Sequence, residues 1–132
     1  MRRNLASFMA AAAVILMALP AGAVGRDYLI YFGFNSEDVT REAELVLNEV
    51  RYAAVSAMVT KILITGHCDS AESSPDRLAL SRAQNVADYL RQNGLDVAIE
   101  IETRGEGNKR PAVKSPPGTK NVENRRVVIE FQ

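Results

Sequence analysis

Ile62-Leu63-Ile64-Thr65-Gly66-His67-Cys68-Asp69, followed at a short distance by Leu78-Ala79-Leu80-Ser81-Arg82-Ala83, decides the fold. An apolar, β-branched run that halts at a glycine reads as a buried strand. The second run opens an amphipathic helix, because Ala79, Ala83, Val86 and Leu90 recur at three- and four-residue steps. Ser74-Pro75 reads as its N-cap and first helical residue, and Asn93-Gly94 as its close. Ala71–Ser74 is the polar loop between the two runs. A strand-loop-helix unit of this kind brings Asp69 and Arg82 to one end of a sheet. A carboxylate beside a guanidinium suits a zwitterion that carries its own ammonium and carboxylate. Neither group suits catalysis by itself.

The flanks extend the alternation. Tyr28 to Phe34 is aromatic and β-branched, with Ile30, Phe32 and Phe34 expected on one face. Thr40 is an expected N-cap with Glu42 in the first turn, where the helix dipole favours an acid. Val39, Ala43, Val46, Val50, Ala54 and Ala57 then mark a helical stripe ending near Val59. Lys61 to Cys68 is the second strand. Val97, Ile99 and Ile101 alternate with polar or small residues and mark a half-exposed third strand. Arg104 to Lys120 is rich in Gly and Pro and reads as a long loop. Arg126 to Gln132, with Val127, Ile129 and Phe131 on one face, is the last strand. The order β-α-β-α-β-β predicts a two-layer α/β (α+β) sandwich with a mixed sheet and both helices on one face. Right-handed crossovers favour parallel neighbours in the β-α-β passages, and the final β-β step predicts an antiparallel hairpin.

Composition narrows the function classes. The formal net charge of +0 gives no basic excess for nucleic acid. A lone cysteine excludes a disulfide framework within the chain. Met1-Arg2-Arg3-Asn4 is a short positive segment, and Leu5 to Leu19 is apolar but shorter than the roughly 20 residues a spanning helix needs. Ala21-Gly22-Ala23 supplies a small-x-small cleavage site, so residues 1–23 are expected to be a cleaved signal peptide and 24–132 the mature domain. The alternative is an uncleaved anchor. Export would leave 14 basic against 16 acidic residues, a formal charge of −2.

The ordered motifs from Tyr28 to Gln132 resemble the OmpA-like (OmpA/MotB C-terminal) peptidoglycan-binding domain family. Tyr31-Phe32-Gly33-Phe34-Asn35 is similar to its opening strand, and Ile64-Thr65-Gly66-His67-Cys68-Asp69-Ser70 to its G-H-T-D segment. Leu78 to Val86 resembles L-S-x-x-R-A-x-x-V, Gly105-x-Gly107 with Pro111 resembles G-x-G-x-x-x-P, and Asn124-Arg125-Arg126-Val127 matches N-R-R-V. The resemblance implies non-covalent binding of peptidoglycan through the diaminopimelate of the stem peptide, in support of cell-envelope integrity. It places the ammonium contact on Asp69, the carboxylate contact on Arg82, and a further site residue on Arg125. It also implies a periplasmic, outer-membrane-associated protein without a cofactor. The chain departs from the family pattern at Cys68 (usually Thr), Ala79 (usually Ser), Gly33 (usually Asp or Asn) and Pro75, and its loop from Asp69 to Arg82 is shorter than usual. Substitution of either Asp69 or Arg82 is expected to abolish wall binding and leave the fold intact.

The same residues also suit other classes. Asp69 also suits a turn cap, Arg82 a solvated helix position, and Arg125 a strand-edge charge. His67 reads as a hydrogen-bonded structural residue and Cys68 as a small half-buried one. His67, Cys68 and Asp69 do not make a metal set, since neighbours on a strand point to opposite faces. His67, Asp69 and Ser81 supply the residue types of a hydrolase triad, yet no G-x-S-x-G elbow is present. No catalytic residue is therefore assigned, and the chain is expected not to be an enzyme. The runner-up is a periplasmic scaffold or assembly protein that keeps the fold and binds another envelope protein.

Overall fold

The structure is a computed structural model and describes residues 27–132, so the expected leader lies outside the described residues. Tyr28–Tyr31 forms β1 and Arg41–Ser56 forms α1. Lys61–Gly66 is β2, Pro75–Gln92 is α2 and Glu100–Gly105 is β3. A single 3-10 turn, Val122–Asn124, leads into β4, Arg126–Phe131. Among the described residues this is the expected β-α-β-α-β-β order, with a four-stranded mixed sheet and two α-helices.

Local chemistry explains most boundaries. Thr40 caps α1, its hydroxyl accepting from the Ala43 N–H at 3.1 Å. The helix stops two to three residues earlier than the apolar pattern suggests, because Met58 turns left-handed at φ 54° and the Val59 N–H donates to Ala54 C=O. Its buried stripe is Ala43, Leu47, Val50 and Ala54, with Leu47 in place of the expected Val46. Helix α2 buries Leu78, Ala79, Arg82, Ala83, Val86 and Leu90. Ser74 holds the N-cap position before Pro75 but makes no side-chain cap bond. It sits at φ 49°, in the left-handed region rather than the extended one that a following proline favours. Gly94, at φ 92°, closes α2 as expected, and the Leu95 N–H reaches back to Leu90 C=O at 2.9 Å.

The sheet order is β1-β4-β2-β3, which overturns the expected β3-β4 hairpin. Strand β4 lies between β1 and β2 and runs antiparallel to both, while β2 and β3 are parallel. Burial accounts for the insertion. Val127, Ile129 and Phe131 are all buried whereas no residue of β3 is, so β4 gains more than β3 from a central place. Strand β3 alternates Glu100, Glu102 and Arg104 on the open face of the sheet, and charges of this kind suit an edge. Strand β3 also starts later than the Val97 pattern indicates. Asp96 turns the chain, accepting from the Ala98 N–H at 2.9 Å, and Val97 is 90% exposed. At β1, Ile30 and Phe32 enter the core as expected but Phe34 does not. It lies at the surface with the Lys120 ammonium 4.3 Å above its ring.

Helix α2 fits closely over the ends of β2 and β3. Gly66 and Gly105 are register partners there. A Cβ on Gly66 would overlap the Ala79 carbonyl, and one on Gly105 would come within 2.7 Å of the Leu80 nitrogen. The two glycines let the first turns of α2 rest on the sheet backbone, and that seat brings Arg82 against the residues that follow β2.

Candidate functional site

Beyond Gly66 the chain leaves the sheet but stays pinned. The His67 N–H donates to Arg126 C=O and the Cys68 N–H to Gly107 C=O, both at 2.8 Å. This fixes Asp69 at the sheet end, 1% exposed. Its Oδ1 accepts from the N–H groups of Ala71 and Glu72, both at 3.0 Å. Its Oδ2 accepts from the Asn121 N–H and from Arg125 Nη1, both at 2.9 Å. Burial alone would raise the Asp69 pKa. The amides of Asn121 and Ala71 and the Arg125 guanidinium outweigh it and hold the carboxyl below its ordinary 3.8.

Arg82 is fully buried at the first half of α2, its guanidinium 5.2 Å from the Phe32 ring centroid. It is not a solvated helix residue. Nε donates to Ser36 C=O at 2.8 Å, Nη1 to His67 C=O at 2.9 Å and Nη2 to Gly33 C=O at 3.1 Å. The remaining two donors form a bidentate ion pair with Glu72, through Oε1 at 2.9 Å and through Oε2. Glu72 in turn accepts from the Asn35 N–H at 2.7 Å and the Asp69 N–H at 3.0 Å.

The three expected site residues thus lie at one end of the sheet, but paired differently from the simple picture of one carboxylate facing one guanidinium. Asp69 pairs with Arg125, Arg82 pairs with Glu72, and the backbone between Asp69 and Glu72 joins the two pairs. Arg125 is the outermost of the four, with its side chain 13% exposed and its Nε donating to Phe32 C=O at 3.0 Å. It borders an open cleft of about 470 Å³ whose walls include Leu29, Tyr31, Thr40, Glu42 and Val122. Sequence reading missed Glu72, Asn35 and Asn121. Glu72 falls in a stretch whose polar composition marks only a loop, and its one legible signal is a carboxylate three positions after Asp69 in a shortened loop.

His67 and Cys68 frame the site without joining it. Burial, and then the nearby Arg126, lower the His67 pKa from 6.5 to about 4, so the ring is neutral near pH 7. Its backbone N–H is bonded, but the ring Nδ1 has no partner among the described residues, unlike the hydrogen-bonded side chain expected. Cys68 is 1% exposed rather than half-buried, its thiol donating to Pro75 C=O at 3.3 Å. Burial pushes that thiol up to about 12. Among the described residues no three His, Cys, Asp or Glu side chains are grouped to hold a metal ion. No helix among them is long and apolar enough to cross a membrane. Two guanidinium groups and two carboxylates thus form two ion pairs whose side chains are buried except for the 13% exposure of Arg125.

Comparison with known proteins agrees with this architecture. The chain is 30% identical over 112 residues to an outer membrane protein of Gluconacetobacter diazotrophicus, an alignment that takes in 79% of this chain and 29% of the relative. It is 30% identical over 104 residues to the peptidoglycan-associated lipoprotein of Haemophilus influenzae, covering 77% of this chain and 67% of that protein. The solved structure of the peptidoglycan-associated lipoprotein from Burkholderia pseudomallei superposes with a TM-score of 0.69 at 25% identity, over 79% of this chain and 89% of that one. The family model of the OmpA family matches residues 31–125. With that match over most of its length, the chain belongs to the OmpA family.

Proposed function

We propose that this chain binds peptidoglycan non-covalently in the periplasm, through the diaminopimelate of the stem peptide, and so ties envelope components to the wall. The printed names of two relatives, both peptidoglycan-associated lipoproteins, support the wall as the partner. The observation that supports the reading at the site is the bidentate carboxylate on Arg82, since a guanidinium fork that pairs with the Glu72 carboxylate has the geometry to pair with a ligand carboxylate in its place. A diaminopimelate carboxylate replaces Glu72 on Arg82. Its ammonium replaces the Arg125 guanidinium on Asp69 Oδ2, and Arg125 then swings to the cleft side. The exchange conserves charge at both positions. None of the steps is covalent, and the proposed activity is not enzymatic.

The test is co-sedimentation of the protein with purified sacculi, with free meso-diaminopimelate as competitor. Retention that the free amino acid displaces supports the reading. Retention on walls that carry lysine in place of diaminopimelate, undiminished by the competitor, sinks it. One observation favours the scaffold reading instead. Leu45, Tyr52, Val55 and Met58 on or just after α1 are 58–84% exposed. Absence of sacculus binding would move the function to a protein partner at such a surface.

A further inference from the structure

Arg82 has five N–H donors and all five are engaged within the chain. A sixth partner finds no free donor there. The chain's own Glu72 takes the two that form the outer fork, and its side chain is fully buried with that of Arg82. Glu72 belongs to the loop after Asp69, where a glutamate is ordinarily solvated. Burying both ions carries a desolvation penalty that their attraction roughly offsets, so stability by itself gives little reason for the pair. The surroundings are more telling. Two guanidinium N–H groups and the backbone N–H groups of Asn35 and Asp69 converge on the two Glu72 oxygens. Four donors aimed at one carboxylate form a complete seat, and the occupant comes from a surface loop.

From this we infer that Glu72 is an internal stand-in for a ligand carboxylate, holding the Arg82 seat closed until the segment from Ser70 to Ser74 lifts. The identity of the outside carboxylate, a stem-peptide one, rests on the wall-binding reading above. Hydrogen bonds tie the segment mainly at its two ends, where Ser70 Oγ donates to Pro116 C=O at 2.8 Å and accepts from the Thr119 N–H at 3.0 Å, and Ser74 C=O accepts from the Leu78 N–H at 2.9 Å. Besides these and the contacts of Glu72 itself, the Ser73 N–H donates to Asn35 Oδ1 at 3.2 Å and the Gly118 N–H to Ser70 C=O at 3.1 Å. Lifting the segment also frees Asp69 Oδ1, which the amides of Ala71 and Glu72 now occupy. One movement therefore exposes both the cation-accepting and the anion-accepting group. Apparent affinity then falls by the fraction of molecules that are open.

The experiment compares wild type with Glu72→Ala in two assays. In the first, thermal melting is followed in sodium acetate and in sodium chloride of equal ionic strength. Acetate is expected to raise the midpoint of Glu72→Ala, filling the vacated seat, and to leave that of wild type unmoved. This readout also covers a variant that folds poorly in chloride, since recovery of its transition in acetate supports the seat. A Glu72→Ala midpoint that acetate does not raise overturns the inference. In the second assay, half-saturation on sacculi is expected at least about tenfold lower for Glu72→Ala, as for a seat open in a tenth or fewer of wild-type molecules. Equal, diaminopimelate-sensitive sedimentation of both proteins keeps the wall reading and removes the Glu72 gate. Acetate stabilisation of Glu72→Ala with no sedimentation of either protein keeps the seat and removes the wall reading.

Discussion

Replacing Arg82 with alanine tests whether the site residues are also core residues. Among the described residues the substitution removes the only guanidinium facing Glu72, whose carboxylate keeps just the Asn35 and Asp69 amides. It also strips a charged donor from the carbonyls of Gly33, Ser36 and His67, and it leaves a gap over Phe32. Breaking one side of a buried ion pair costs about 3–5 kcal/mol. A domain of this size has only about 5–15 kcal/mol in total. At about 4–8 °C per kcal/mol for a domain near 100 residues, the melting midpoint should fall by at least about 12 °C. The expectation from sequence that Arg82→Ala leaves the fold intact therefore does not survive the burial of the side chain. The decisive assay is a double-mutant cycle with Glu72→Leu, followed by circular dichroism. Arg82→Ala with Glu72→Leu should be less destabilised than the two single changes added together, with a coupling of at least about 2 kcal/mol, because no unpaired charge remains. An Arg82→Ala protein that melts within a few degrees of wild type, or an additive cycle, refutes the reasoning.

Three further outcomes follow from the same structure. Gly66→Ala should prevent folding or cost more than about 3 kcal/mol by urea titration, since its Cβ has to displace the Ala79 backbone; a loss within about 1 kcal/mol contradicts the close seat of α2. Cys68 should resist thiol reagents in the native state and react once urea unfolds the chain, and Cys68→Thr should change stability by no more than about 1–2 kcal/mol, its hydroxyl taking over the bond to Pro75 C=O. Stability should fall as pH drops from about 6.5 to 4. His67 has a folded pKa below its unfolded one, so the fold favours the neutral ring and the unfolded chain takes up the proton first, a loss of roughly 2–4 kcal/mol that His67→Leu should flatten. An unchanged slope in His67→Leu would assign the pH dependence elsewhere. Asp69, with its pKa lowered, adds its own loss only as pH falls below about 4.

What was legible in the sequence was what burial writes at a fixed period. The α2 stripe of Ala79, Ala83, Val86 and Leu90 and the β4 face of Val127, Ile129 and Phe131 all enter the core as their spacing indicates. The Thr40 cap and the Gly94 stop were legible because each solves a local backbone problem with a local residue. Strand order was not, since β4 reaches its place between β1 and β2 across a long connection that leaves no mark on spacing. The start of β3 was misread for the opposite reason. The Val97-Ile99-Ile101 alternation is real, but the Asp96 side chain turns the backbone through it. At the site, the positions of Asp69, Arg82 and Arg125 could be read because strand and helix ends fix them. Their partners could not, because a loop carboxylate such as Glu72 looks the same in sequence whether it faces water or a guanidinium.

The pairing of four charges bears on which ligands the niche can select. A simple carboxylate that displaces Glu72 from Arg82 satisfies the guanidinium but sends Glu72 into solvent and leaves the Asp69–Arg125 pair as it was. Its gain is the difference between two carboxylates on the same donors, which is close to zero. Under the wall-binding proposal, a zwitterion acts on both pairs together. Its carboxylate takes the Arg82 fork, its ammonium takes Asp69 Oδ2, and the released Glu72 and Arg125 return to water with opposite charges at neighbouring positions. The two exchanges share one ligand, so the entropy of binding is lost once for two ionic contacts. On the proposed reading the internal pairs therefore act as a filter. They make each single-ended contact nearly neutral in free energy, and they leave net affinity only to a group that presents an ammonium and a carboxylate at the spacing of Asp69 and Arg82.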